Sequence, residues 1–403
     1  MCGINGFDFR DESLIQKMMI FTKNRGPDAN NFFSNENVTI GHDRLSILDL
    51  NERSNQPYLY KNLILSFNGE IFNYLDLKKD LVSKGYKFKT TSDTEVVIYL
   101  FHKYGIDSFK KLSGIFAISI WDNIKKTLYL VRDIVGVKPL YYHETKNNNI
   151  IYSSSIKSIL STDQKFDLNE RALFYYKNIG RNEGAETFFK RVFKLLPGEL
   201  LIKEKNKDKK IIKFLNFKFK KFNAVKAAEE ISNIIKSQFL SDVPVALSLS
   251  GGIDSNIIYS IMRDNLKKKN YNIYSFHFQN YEKFNQDFFT AKKNCEKYGN
   301  NLNQIEINYK DYQNNIEDVI KILEEPISNQ GSVLNYILAK NVKEKVIITG
   351  DGGDELFGGY DHYRSAYILQ DLSRLNFFKK FFSPETKYKN FNRLFFKNSK
   401  EFF

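Results

Sequence analysis

The strongest constraint on this chain is a change of hydrophobic period near its middle. From Cys2 to about Ile202, short apolar segments recur between turn residues. VTIGHDRLSIL, NLILSFNGEIF, GIFAISIWD, KTLYLVRD and NNIIYSSS alternate or run apolar over strand-like lengths. NYLDLKKDLVSKGY and DTEVVIYLFHKYG have helical spacing, the second with an acidic first turn and Gly105 behind it. This half reads as antiparallel sheets with helices packed on them. Beyond Asn223 the pattern is different. AVKAAEEISNIIKSQFL is helical, and VPVALSLSGGIDSNIIYSIMRDNL is a buried strand, a glycine loop and a helix. NIYSFHFQ, DFFTAKKNCEKYG, NQIEI and IEDVIKILEE then alternate strand and helix, and KVIITGDGGDELFGGY is a strand ending in a glycine-rich acidic loop. Such alternation argues for a doubly wound parallel sheet. The lysine-rich KEKNKDKKIIKF is either an exposed hairpin or the start of a linker. The boundary is placed between Lys205 and Asn223, giving domains 2–205 and 223–403.

The net charge of +14 raises the question of a nucleic-acid partner. The lysines are spread along the chain among abundant Asn, Ile, Phe and Tyr, which is a bias of the whole sequence, so neither a nucleic-acid nor a membrane partner is expected. There is no apolar run long enough to cross a bilayer and no basic region followed by an apolar core at the N-terminus. Two cysteines far apart make no disulfide framework, and a cytoplasmic location is expected.

One of those cysteines stands directly behind Met1. Met1 is expected to be trimmed before so small a residue, leaving a thiol and an α-amino group on Cys2. The amine, with a pKa of about 7.7–8.0, can take the proton of a thiol near 8.5. A nucleophile carrying its own base is the logic of N-terminal nucleophile (Ntn) hydrolases. Other segments must complete such a site, and each has a plainer reading. Arg44 in HDRLSILDL is a fork suited to a carboxylate, or a surface ion pair. Asn68 and Gly69 in SFNGEIFNY offer the amide and N–H of an oxyanion hole, or form a hairpin turn. Glu70 adjoins them. Asp93 in TTSDTEVV caps a helix, or binds a substrate ammonium.

MCGI, RGPD, GHDRLSILDL, FNGEIFNY, SDTE, GIFAISIWD and VRDIVGVKPLYY together resemble, in order, the glutaminase domain of glutamine-dependent asparagine synthetases. The resemblance implies an α+β Ntn-hydrolase sandwich in which Cys2 attacks the glutamine side-chain amide. It also implies that Arg44 holds the α-carboxylate, that Glu70 and Asp93 contact the α-amino group, and that Asn68 and Gly69 form the oxyanion hole.

In the second half, LSLSGGIDS follows a buried strand and opens a helix, so its backbone N–H groups suit an anion. The Gly-Lys-Ser/Thr ending of a Walker loop is absent. In ITGDGGDELFGGY, Asp351, Asp354 and Glu355 crowd charge at a strand end, an arrangement suited to Mg²⁺. Both loops, with LPGE and LEEP, match the synthetase domain of the same family, which implies an α/β parallel-sheet PP-loop fold using ATP and Mg²⁺. By that resemblance Ser250, Gly251, Gly252, Asp254 and Ser255 hold the pyrophosphate end, and Asp254 and Asp354 share Mg²⁺. Phe278, Thr349 and Gly350 line the nucleotide through backbone groups, and Asp351 serves formation of the acyl-adenylate. The implied partners are glutamine, ATP and aspartate or another carboxylate, and a homodimer is compatible with this reading.

The chain departs from the family pattern in three places. Asn256 replaces a hydroxyl residue, and His277 stands where a small residue is common. The basic, aromatic segment ending at Phe403 replaces a longer helical one, so the synthetase half is expected to be incomplete. The alternatives are an amidotransferase for another acceptor, as in surface-polysaccharide biosynthesis, or a remnant limited to glutaminase activity or binding.

Overall fold

The computed structural model describes residues 1–162, 165–182, 184–215, 223–265, 271–361 and 363. The strands of the first half are β1 (Gly3–Phe7), β2 (Ala29–Asn35), β3 (Val38–Arg44), β4 (Tyr58–Tyr60), β5 (Leu63–Ile71), β6 (Gly114–Asp122), β7 (Thr127–Arg132), β8 (Tyr141–Glu144), β9 (Ile150–Ser153), β10 (Val192–Lys194), β11 (Glu199–Glu204) and β12 (Lys210–Lys213). Its helices are α1 (Glu12–Met19), α2 (Tyr74–Ser83), α3 (Asp93–Tyr104), α4 (Ile156–Leu160) and α5 (Glu170–Ile179). The strands form two six-stranded sheets, ordered β10-β8-β9-β1-β3-β2 and β12-β11-β7-β6-β5-β4, with every pairing antiparallel.

Side-chain alternation turns these sheets into four layers. On β6, Ala117 and Trp121 point between the sheets, where they meet Ile4, Ile40, Tyr152 and Leu201. Phe116, Ile118 and Ile120 point the other way, onto Val96, Val97 and Leu100 of α3. Phe7 and Ile151, on the outer face of the first sheet, pack on Ile15 and Met18 of α1 and on Ile156 and Ile159 of α4. Burial of each such side chain contributes about 1.5–3 kcal/mol.

The structure adds helices to the sequence reading, shortens one strand and decides between the two readings of the lysine-rich segment. α1, α4 and α5 join the two expected helices; α1 is short, and it is fixed by the Asp11 side chain accepting from the Leu14 N–H. VTIGHDRLSIL is not one strand, because β3 stops at Arg44 and the following residues curl back around that side chain. KEKNKDKKIIKF resolves to a hairpin of β11 and β12. The basic segment after residue 363 and the stretch 216–222 within the expected boundary lie outside the described residues.

The second half contains α6 (Ala224–Gln238), β13 (Val245–Ser248), α7 (Ile253–Asn265), β14 (Asn272–Phe278), α8 (Gln286–Lys297), β15 (Leu302–Ile307), α9 (Tyr309–Leu323), α10 (Gly331–Asn341), β16 (Val346–Ile348) and α11 (Gly353–Phe357). Its four strands are parallel, in the order β15-β14-β13-β16. Val245 and Leu247 face Tyr259 and Met262 of α7 and Ala291 of α8. Ala246 faces Val319 of α9 and Val333 of α10 on the opposite side. Helices therefore cover both faces, and the strand order reverses between β13 and β16, the position at which such sheets open a ligand crevice.

The two halves meet along two polar seams. Asp242 and Lys345 reach the segment after β3 and Asp28. On the other seam Glu324 accepts from the Ser155 hydroxyl and from the Ile156 and Lys157 N–H groups, and Glu325 pairs with Lys194.

The sandwich tolerates no bulk where β1 crosses it. A Cβ on Gly6 would lie 2.4 Å from the Tyr152 hydroxyl and 2.7 Å from the Thr39 carbonyl oxygen. Tyr152 is itself fully buried and bonded to Ser119, so it has nowhere to move. Gly6→Ala is expected to destabilise the protein by about 1–3 kcal/mol, measured by urea unfolding.

Candidate active sites

β1 is buried along its whole length between β3 and β9, so it presents Cys2 at a sheet end. The Cys2 Sγ receives the Leu45 N–H at 3.4 Å, and the Cys2 carbonyl accepts from Arg25 Nε at 3.2 Å. Burial pushes the thiol pKa up, with the Leu45 N–H opposing it. A narrow cavity beside the sulfur is lined by Cys2, Arg44, Leu48, Gly69, Glu70 and Asp93, among others.

β5 supplies three of the expected groups. Asn68 and Gly69 pair with Ala117 and Phe116 inside the strand, which excludes the hairpin-turn alternative. Both polar atoms of the buried Asn68 amide lack a hydrogen-bond partner. A buried amide left unpaired is costly unless something else occupies it. At Gly69 a Cβ would meet the Ile115 carbonyl oxygen at 2.1 Å, so only glycine fits. Asp93 does not cap its helix. Ser92 does, accepting from the Thr94 N–H, while an Asp93 carboxylate oxygen accepts the Ile71 N–H at 2.9 Å. Burial and the Asp93 charge push Glu70 well above the usual carboxylate range, and burial pushes Asp93 up to about 6. Two carboxyls held this way favour a cation between them.

Arg44 is buried, so the surface ion-pair alternative fails. Its guanidinium donates to the Leu48, Asp49 and Asn51 carbonyls and to Asn55 Oδ1. It therefore shapes the loop that walls the cavity. Sequence reasoning missed Lys138, a lysine inside the apolar run VGVKPL. Burial lowers its pKa, opposed by the charges of Glu70 and Cys2. It also missed Gln56, which lines the cavity and joins Phe67 of β5 to Thr94 of α3.

The second site is a cavity of about 800 Å³ at the carboxyl ends of the parallel strands. That volume is in the range of a nucleotide pocket. Its walls include Ser250, Gly252, Asp254, Ser255, Phe278, Thr349, Gly350, Asp351 and Asp354. Gly251 has φ +88°, and a Cβ there would lie 2.0 Å from the Asp287 carbonyl oxygen. Ser250 and Ser255 bond to each other through their hydroxyls at 3.0 Å. Asn256, the departure from the family pattern, has a structural reason. Its amide donates to the Gly251 and Gly252 carbonyls and accepts from Asn294, bracing the loop in a way that a single hydroxyl cannot. At Phe278 the main-chain N–H and carbonyl are both engaged by the Asn285 amide, so contact from this residue falls mainly to its ring. Asp351 accepts from the Thr349 hydroxyl at 2.9 Å. His277 packs edge-on against Phe288 of α8. The helix α10, not read from the sequence, adds Leu334 and Asn335 to the wall.

Asp254 and Asp354 approach each other across the glycine loop. Burial raises the Asp254 pKa, and the charges of Asp354 and Glu355 raise it further. Among the described residues no cluster of three or more His, Cys, Asp or Glu is arranged to hold a metal. Two carboxylates completed by phosphate oxygens and water suit Mg²⁺, which keeps much of its own shell. Among the described residues no helix is long and apolar enough to cross a membrane.

A family model described as "Glutamine amidotransferase domain" matches residues 1–214, and one described as "Asparagine synthase" matches residues 226–399. The protein is thus a glutamine amidotransferase domain joined to an asparagine synthase domain, which implies use of ATP. The chain is 32% identical over 379 residues to "Asparagine synthetase (glutamine-hydrolyzing) 1" of Bacillus subtilis, covering 90% of this chain and 58% of that protein. It is 30% identical over 418 residues to "Putative asparagine synthetase (glutamine-hydrolyzing) 2" of Methanocaldococcus jannaschii, covering 93% and 78%. It is also 29% identical over 370 residues to "Amidase chry2" of Gibberella zeae, covering 85% and 54%. The chain belongs to the family of glutamine-hydrolysing asparagine synthetases, and it spans little more than half the length of the first and third of these relatives.

The raised Asp93 pKa makes a stability claim. A carboxyl whose folded value lies above its unfolded value of about 3.9 costs stability as pH rises from 4 through 6. Asp93→Asn should therefore stabilise the fold by about 1–3 kcal/mol at pH 7.5. The gain should vanish below about pH 4. Thermal melts across that pH range measure it.

Proposed function

We propose that this protein releases ammonia from glutamine at Cys2 and uses ATP to activate a carboxylate, with aspartate as the first candidate, for amidation. The observation that carries this reading is the convergence, beside the Cys2 sulfur, of an unpartnered Asn68 amide, a glycine-only strand position and two carboxyls with raised pKa values. Glutamine has an ammonium for Glu70 and Asp93, an α-carboxylate for the Arg44 loop, and an amide oxygen for Asn68 and the Gly69 N–H.

The Cys2 thiolate attacks the side-chain amide carbon, and negative charge builds on its oxygen, where fixed donors act most strongly. The carbon–nitrogen bond then breaks, ammonia leaves with a proton, and water releases glutamate from the thioester. The base is the Cys2 α-amine once Met1 is removed. Burial lowers the terminal ammonium of Met1 to about 6, and the same desolvation would favour a neutral amine on Cys2. In the second cavity, the Ser250–Ser255 loop would hold the pyrophosphate of ATP, with Thr349, Gly350 and Phe278 beside the nucleotide and Asp351 near the reacting carboxylate. Asp254 and Asp354 would hold Mg²⁺, which offsets phosphate charge when bound. Ammonia displaces AMP from the acyl-adenylate. A different acceptor is the second reading, supported by the similarity to an amidase.

Cys2→Ala should abolish ammonia release from glutamine while leaving the fold intact. Undiminished hydrolysis, or retention of Met1 in the mature active protein, would refute the assignment. Asp254→Ala should weaken ATP binding in Mg²⁺ by at least about tenfold in a calorimetric titration, the scale of one lost charge-assisted contact. Equal affinity would remove Asp254 from the metal site.

A further inference from the structure

We infer that Asp242, a residue of the nucleotide domain, is a positioning residue for glutamine in the other domain. This rests on the glutaminase reading above and assigns that site a part lying outside its own fold.

The segment Leu45–Asp49 forms one wall of the Cys2 cavity through Leu45, Ile47 and Leu48. It also supplies the Leu48 and Asp49 carbonyls that take the Arg44 guanidinium. This wall is not self-supporting. Asp49 has φ +45°, a left-handed conformation that Asp visits more readily than most non-glycine residues and that its hydrogen bonds must favour over an extended one. Part of that bonding comes from within the domain. Burial raises the pKa of the Asp49 carboxyl, but hydrogen bonds from the Thr91 N–H, Asn51 and Arg53 hold it well below the usual range.

The rest comes from across the seam. The Asp242 carboxylate accepts the Asp49 N–H at 2.8 Å, and the Asp242 N–H donates to the Ile47 carbonyl at 3.0 Å. One residue thus grips the wall at two points, on either side of Leu48. A second grip lies beside it: Lys345 pairs with Asp28 at 2.7 Å, and the same Asp28 oxygen accepts the Ser46 N–H. Asp242 and Lys345 stand just before β13 and β16, which are adjacent and parallel. The amino ends of this strand pair therefore hold the glutamine wall, and their carboxyl ends carry the Ser250 and Asp351 loops of the nucleotide cavity.

Loss of the Asp242 carboxylate should let Asp49 relax and misplace the Leu48 and Asp49 carbonyls, and Arg44 with them. Recognition of the amino-acid end of glutamine should suffer, whereas the thiol should not. In the full chain, Asp242→Ala should raise the KM for glutamine about five- to tenfold, the size of one hydrogen bond to a buried amide, with kcat changed less than about twofold. Alkylation of Cys2 by a glutamine-like chloroketone should slow by the same factor, while labelling by iodoacetamide, which has no α-carboxylate, should be unchanged. Asp242→Asn keeps an acceptor oxygen and should restore KM to near wild type. An unaltered KM in Asp242→Ala, or equal slowing with both reagents, would overturn the inference. Wild-type protein that neither hydrolyses glutamine nor reacts with the chloroketone would instead overturn the glutaminase reading itself.

Discussion

The first domain depends on threading its amino-terminal strand through the middle of a sheet. β1 is five residues long and buried throughout, paired on one side with β3 and on the other with β9, whose partners lie far along the chain. A chain end is ordinarily the least ordered part of a domain. Here ladders on both sides hold it, at the expense of side-chain volume: Gly3 lies against Thr22, and Gly6 against Tyr152. What the arrangement achieves is a residue adjoining the terminus, Cys2, held at a strand end with its sulfur against Leu45. A thiol at a loose terminus could not be aimed at anything.

Around that fixed point the structure leaves several groups electrostatically dissatisfied. Asn68 has an unpaired amide, Glu70 and Asp93 repel each other in a buried setting, and the Lys138 pKa is lowered by burial. None of these features stabilises the fold. The first two would be relieved by part of an amino-acid amide: an oxygen at Asn68, an ammonium between the carboxyls. The second cavity repeats the pattern with one sign of charge, as Asp254, Asp354 and Glu355 crowd a glycine loop. Sites built to bind are visible here as places where the protein alone is incomplete.

Much of this was legible in the sequence because it depends on local pattern. The change from short alternating segments to strand–helix alternation reports which faces are buried, and it gave both layer architectures. The motif residues Cys2, Arg44, Glu70 and Asp93 could be named, and the structure brings them to one cavity. The failures are tertiary in origin. RLSIL looks like a continuing strand by composition, but the Arg44 guanidinium collects the carbonyls that a strand would have used. Asp93 looks like a cap, yet Ser92 takes that role and frees Asp93 for the end of β5. Asn285 bonds to both main-chain groups of Phe278, a pairing that no local pattern announces. Lys138 was hidden for the opposite reason: a lone lysine in an apolar run reads as a surface residue until the fold half-buries it beside Glu70 and Cys2.

The seams between the domains follow the same logic at larger scale. Carboxylates dominate them, with Asp242 and Asp28 on one side and Glu324 and Glu325 on the other, and they meet backbone N–H groups and lysines instead of apolar faces. An apolar interface of similar extent would be indifferent to small shifts, because hydrophobic contact has no direction. Hydrogen bonds to individual N–H groups do have direction, so these seams specify register as well as proximity. On the function proposed above, register is what two reaction sites sharing an intermediate would require: ammonia made beside Cys2 would be useful only if the second cavity is held in a fixed relation to it. These contacts fall on the amino ends of β13 and β16 and on the turn after α9, and those at the strand ends tie the wall of the Cys2 cavity to the strand pair that carries the Ser250 and Asp351 loops.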